Sequence, residues 1–136
     1  MNGYPLDHIG IAVANLEEEI ALQQKLFGFE LDTREVVESQ KVELVFLKLP
    51  NTKLELLTPT SPESPLQKFL EKRGPGIHHL CYEVPDIVAE LATLKEKGVK
   101  LIDEVPRPGA HHTQIAFLHP KSTGGTLIEL CQYPKN

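Results

Sequence analysis

The chain is poor in cysteine, carries no excess of positive charge and has no long apolar run, and each shortage removes a class of function. Only Cys81 and Cys131 are present, and no CxxC occurs. Two thiols make no disulfide framework, and both are expected to act as small hydrophobes. Fourteen basic residues against 19 acidic ones leave a formal charge of −5. Nothing suggests a basic face that tracks phosphates, so no nucleic-acid partner is expected. No apolar stretch reaches the length of a signal-peptide core or a membrane span. The expectation is a soluble, cytoplasmic protein with no membrane partner. Low-complexity segments are absent too. What remains is ordinary: 136 residues, 40% hydrophobic and 24% charged, suit one domain with a real core.

Against that plain background an internal repeat stands out. "DHIGIAV" (7–13) and "HHLCYEV" (78–84) align on His8 and His79, an offset of 71. Phe46-Leu47 and Phe117-Leu118 keep that offset. Thr52-x-Leu54-Glu55-Leu56 then matches Thr126-x-Ile128-Glu129-Leu130 at an offset of 74. The three extra residues fall in the turn-rich "HPKSTGG" (119–125), where insertion costs little.

Each copy reads as βαβββ. A short apolar strand carries the histidine. Asn15 or Asp86 then supplies an N-cap for an amphipathic helix, about 16–27 and 86–97. Each helix stops near a glycine, Gly28 or Gly98. Three strands follow: roughly 29–37, 42–49 and 52–58 in the first copy, and 99–105, 113–118 and 126–132 in the second. Between the copies, residues 59–76 hold "TPTSPESP", a short helix "LQKFLEKR" and a Gly-Pro-Gly exit. The fold class is α+β: two βαβββ modules, about 6–58 and 77–132, in a single domain with one curved mixed sheet and helices outside.

The repeat gives His8 and His79 equivalent places, and Glu55 and Glu129 likewise. A lone strand histidine is more often a satisfied structural residue. A lone glutamate on an alternating strand is more often solvent-facing, which fits Glu55 beside Lys53. Glu129 would share its face with Leu127 and Cys131, so that face is not plainly polar. Two His–Glu pairs in register change the weighing. Two imidazoles and two carboxylates suit Co2+, Ni2+, Mn2+, Fe2+ or Zn2+ better than Ca2+, and they leave positions open for a chelating substrate.

These residues resemble those of the vicinal oxygen chelate superfamily over nearly the whole chain. Within it the sequence is most similar to the methylmalonyl-CoA epimerases. The stretches that carry the likeness are "DHIGIAV", "NTKLELLTP" (51–59), "SPLQKFLEKRGPGIHHLCYEV" (64–84), "HPKSTGGTLIEL" (119–130) and the final "QYPKN". The resemblance implies metal ligands at His8, Glu55, His79 and Glu129, with Co2+ first among Mn2+, Ni2+ and Zn2+. It implies an acyl-CoA substrate, a homodimer, and epimerisation at C2 through a metal-stabilised enolate. His79 takes the ligand role; His78, one residue away, points to the other face and packs outside the site. Glu129 would serve as ligand and base together. Inversion needs a second acid or base on the opposite face. Some family members carry a glutamate for this on the strand equivalent to 42–47. Alignment from "FGF" (27–29) puts Leu44 there, and Glu43 is the nearest carboxylate, expected as the second catalytic residue.

Other polar groups are less specific. His111 and His112 in "PGAHHTQ" read as a rim loop. Lys121 suits a turn as well as a substrate anion. Two other readings compete. A glyoxalase I-type isomerase would use the same quartet on a glutathione hemithioacetal. A non-enzymatic binder of the same fold would need no quartet. A ring-cleaving dioxygenase is a weaker third option, because it needs further acid–base histidines.

Overall fold

A computed structural model describes residues 3–135. Its contacts divide into two compact units, residues 8–78 and residues 79–135 with the stretch up to Asp7.

The first unit follows the repeat. Strand β1 (Leu6–Ala12) leads to helix α1 (Leu16–Phe27), then β2 (Glu30–Val37), β3 (Val42–Lys48) and β4 (Lys53–Pro59). Asn15 holds an extended backbone, and its side-chain oxygen accepts from the Glu18 N–H at 3.0 Å. Glu17, Glu18 and Glu19 fill the first turn, where negative charge favours the helix dipole. Gly28 ends the helix at φ 69°, a left-handed conformation that glycine adopts without steric cost. β4 pairs with β1 in parallel and with β3 antiparallel, and β3 pairs antiparallel with β2. Alternation then sorts the side chains into two faces. Val45, Leu47 and Leu56 join Val13 and Leu16 in a core on the α1 side. Full burial of each such aliphatic side chain stabilises by about 1.5–3 kcal/mol. The opposite face carries His8, Phe46 and Glu55.

After α2 (Pro65–Arg73), the second unit repeats the plan. β5 (Gly76–Glu83) precedes α3 (Ile87–Glu96), capped by Asp86 accepting from the Ala89 N–H at 3.1 Å. β8 (Ile128–Gln132) runs parallel to β5 and antiparallel to β7 (Gln114–Leu118). Val84, Ile87, Leu91, Ala116, Leu118, Ile128 and Leu130 form the core on the α3 side. Strand order is β2-β3-β4-β1 in the first half and β5-β8-β7 in the second, where a two-residue strand β6 (Arg107–Pro108) follows β7 at the edge.

One expectation fails here. Residues 99–105 form no strand; Leu101 makes only a single bridge to Leu118. The Ile102 and Asp103 N–H groups both point at the Phe117 carbonyl, at 2.9 and 3.2 Å. The Asp103 carboxylate accepts from the Phe117 N–H at 2.9 Å, taking the place a ladder carbonyl would hold. Pro106 and Pro108 then remove two backbone donors. The edge of this half is instead β6, the two residues Arg107–Pro108 paired with Ile115 and Gln114.

Candidate functional site

In the first unit, Gly10 of β1 stands opposite Glu55 of β4. His8 lies two residues before Gly10, so its ring projects from the same face as the Glu55 carboxylate. His8 Nε2 is 3.4 Å from Glu55 Oε1, and both residues are 5% exposed. Phe46 pairs with Glu55 across β3 and β4 and presents itself edge-on to the His8 ring, centroids 5.3 Å apart at 81°. Lys53, two residues before Glu55, sets its ammonium 5.1 Å from the Phe46 centroid.

The second unit repeats this arrangement. Cys81 stands opposite Glu129, with His79 two residues before it. His79 Nε2 is 3.1 Å from Glu129 Oε1, and the two residues are 2% and 5% exposed. Phe117 pairs with Glu129 and meets the His79 ring edge-on at 5.7 Å and 88°. A cation again lies over the phenylalanine: the Arg107 guanidinium is 5.7 Å from the Phe117 centroid, and Asp103 Oδ1 is 3.3 Å from its Nε.

Each unit therefore buries one carboxylate beside one imidazole, both of them ligand types for a divalent ion. Burying a carboxylate costs several kcal/mol unless a positive charge accompanies it. A divalent cation beside either pair would supply that charge.

Glu43 does not join this group. The β3–β4 register runs without a break from Val42 to Lys48, so Glu43 shares its face with Val45 and Leu47, on the α1 side. There it accepts from Arg34 Nε at 3.0 Å, and Arg34 also pairs with Glu17 of α1. The side chain on the His8 face is Leu44, 2% exposed. A one-residue offset on a strand is enough to reverse the face.

His78 packs edge-on against Phe69 of α2, at 4.9 Å and 83°, away from the face of His79. His111 and His112 adopt left-handed backbone, φ 58° and 59°, in the turn before β7. Lys121 follows His119, whose Nδ1 accepts from the Lys121 N–H at 3.1 Å, and so belongs to a capped turn.

Lys53 and Arg107 were not singled out by the sequence, although position shows why they matter. Lys53 is two residues from Glu55, and Arg107 pairs with Ile115, two residues from Phe117. A second group was missed as well. Asp7, Cys81 and Cys131 bring their ligand atoms within 4.8 Å of one another. Burial, then a hydrogen bond to Cys131, pushes the Cys81 thiol far above the usual thiol range. Tyr133 donates to Asp7 at 2.7 Å, and burial followed by that bond pushes its phenol up.

Comparison with known proteins agrees with this geometry. Residues 7–117 match the Glyoxalase/Bleomycin resistance protein/Dioxygenase superfamily. The ethylmalonyl-CoA/methylmalonyl-CoA epimerase of Cereibacter sphaeroides is 43% identical, over 93% of this chain and 96% of that protein. The human mitochondrial methylmalonyl-CoA epimerase is 40% identical, over 93% of this chain and 73% of that protein. A methylmalonyl-CoA epimerase solved in complex with methylmalonyl-CoA and NH4+ superposes with a TM-score of 0.92 at 36% identity, covering 96% of this chain and 94% of that one. With its repeated βαβββ units, its matched His–Glu pairs and this extent of likeness, the chain belongs to the Glyoxalase/Bleomycin resistance protein/Dioxygenase superfamily.

Proposed function

We propose that the protein is a metal-dependent methylmalonyl-CoA epimerase, interconverting the 2R and 2S forms of its substrate. The observation that carries this reading is the equivalence of the two His–Glu pairs, each buried, each at the same strand register and each backed by a phenylalanine. Its support from outside the chain is the set of epimerases at about 40% identity.

His8, Glu55, His79 and Glu129 are the residues that would hold one divalent first-row ion. When bound, the ion would draw electron density from the thioester and carboxylate oxygens of the substrate, making the C2 proton more acidic. Glu129 takes that proton on one face of C2 and holds it on a carboxylate oxygen. Inversion needs a second group that starts protonated and gives its proton to the opposite face of C2; Glu55, at the equivalent strand position of the other unit, fills that role with its carboxyl protonated, and exchange with solvent resets the two carboxyls. Glu43 has no part in this, because it lies on the α1 side with Arg34. Phe46 and Phe117 pack edge-on against the two imidazole rings. Lys53 and Arg107 place positive charge beside each pair, suited to a substrate that carries its own carboxylate.

The test is deuterium wash-in at C2 of a single methylmalonyl-CoA epimer, followed together with inversion. It is run on metal-stripped protein and after adding back Co2+, Mn2+, Ni2+ or Zn2+. The expected result is exchange with inversion once an ion is restored. Failure of every ion to support exchange, or turnover of the methylglyoxal–glutathione hemithioacetal alone, overturns the reading.

A further inference from the structure

We propose that Asp7, Cys81 and Cys131 form a second, sulfur-rich site for a soft or borderline divalent cation of the Zn2+ or Cd2+ class. All three residues belong to one unit. Cys81 lies on β5 and Cys131 on β8, two parallel neighbours, and the two are 0% and 2% exposed. With an oxygen of Asp7, their sulfur atoms make a triangle no wider than 4.8 Å. Zn–S bonds are about 2.3 Å and Zn–O bonds about 2.0–2.2 Å. Three ligands around one ion therefore sit about 3.5–4 Å apart, close to the span of these atoms.

Two buried thiols beside a carboxylate differ from two packed hydrophobes. Ile115 and Phe117 do pack against them, and that accounts for their burial. Hydrophobic packing gives no reason for a carboxylate within reach of both sulfurs. The Asp7 carboxylate is also held by Tyr133, which donates to its Oδ1 at 2.7 Å. A hydrogen bond that aims a ligating carboxylate is the usual outer support of a metal site.

The site is distinct from the His–Glu pair of the same unit. Cys81 is two residues beyond His79, and Cys131 two beyond Glu129, on the same face of each strand. Two strand residues span about 7 Å, too far for one ion to bind both sets at normal bond lengths. The chemistry separates them as well. Thiolates select Zn2+ or Cd2+, and a set with no sulfur accepts Mn2+. On binding, the two thiol protons pass to solvent and the ion takes their place. Leu127 and Tyr133 are the partly buried members that pack against this cluster.

The experiment is a titration of the freshly reduced full chain with cadmium chloride as the sole added metal, read by the ultraviolet sulfur-to-cadmium charge-transfer band. The proposal expects a band that saturates at one thiol-bound ion per chain. Cys81→Ser and Cys131→Ser each abolish it, whereas Glu55→Gln leaves it in place. Asp7→Asn keeps an acceptor for Tyr133, retains the band and weakens cadmium binding on the order of 10–100-fold. If the serine variants do not fold, cadmium NMR of the wild-type protein decides by its chemical shift, which separates sulfur from purely oxygen and nitrogen ligation. Absence of the band in reduced wild-type protein, its survival in a folded Cys131→Ser variant, or a shift without sulfur overturns the proposal.

Discussion

Residues 8–78 and residues 79–135 build the same local stack from different sequence. In each, a histidine on the first strand meets a glutamate on the last, a phenylalanine on the neighbouring strand braces the imidazole, and a cation lies over that phenylalanine. The halves part company around this stack. Two residues beyond the histidine stands Gly10 in one and Cys81 in the other. Two residues beyond the glutamate stands Leu57 or Cys131. The edge strand is eight residues in the first half and two in the second. The shared part is the chemistry-bearing set, and the divergent part is its surroundings.

The largest expected effect breaks the symmetry of the glutamates. Glu129→Gln should lower kcat for epimerisation by about 10²–10⁴-fold, the usual weight of a general acid or base. Glu55→Gln should cost a similar factor. Steady-state inversion and C2 exchange, measured together, distinguish the two roles. Loss of inversion with retained one-face exchange marks a residue that acts only on the second face.

Next comes the phenylalanine brace. Phe46→Ala and Phe117→Ala should each destabilise the protein by about 3–5 kcal/mol, as measured by urea unfolding. Phe46 should cost more, because it is 2% exposed against 7% for Phe117. Equal and small losses would mean that the rings do not hold the imidazoles.

A smaller effect compares the caps. Asn15→Ala and Asp86→Ala should each cost about 0.5–2 kcal/mol. Each removes one side-chain acceptor from a helix N-terminus, so both should lower the urea midpoint without altering exchange at C2. The smallest effect is at Glu43. Glu43→Gln weakens a partly exposed pair with Arg34, worth about 0–1 kcal/mol, and should leave kcat within about twofold. A hundredfold loss would return Glu43 to the mechanism.

How far these features were legible depended on the kind of signal. Helical periodicity, caps and the offsets of 71 and 74 placed α1, α3 and most strands within a residue or two. The same offsets aligned both His–Glu pairs, since pairing partners in a repeat inherit one another's register. The segment 99–105 misled because its composition suits a strand. Its backbone is instead engaged by Phe117 and the Asp103 carboxylate, a tertiary contact no local pattern announces. Glu43 misled by one position: nearness in sequence to Leu44 says nothing about the face. The Asp7, Cys81 and Cys131 group joins three distant segments. Strand parity alone could have found the cysteines, two places beyond His79 and Glu129, but nothing in the sequence brings Asp7 to them.

The central claim is that both His–Glu pairs serve one ion. Mn2+ tests it most directly, because this hard ion disfavours thiols and is counted by the loss of its free electron-spin resonance signal. The wild-type chain should bind one Mn2+, and His8→Ala and His79→Ala should each bind none at the same concentration. Two ions in the wild type, with one remaining in either variant, would show that each half holds its own and would contradict the account.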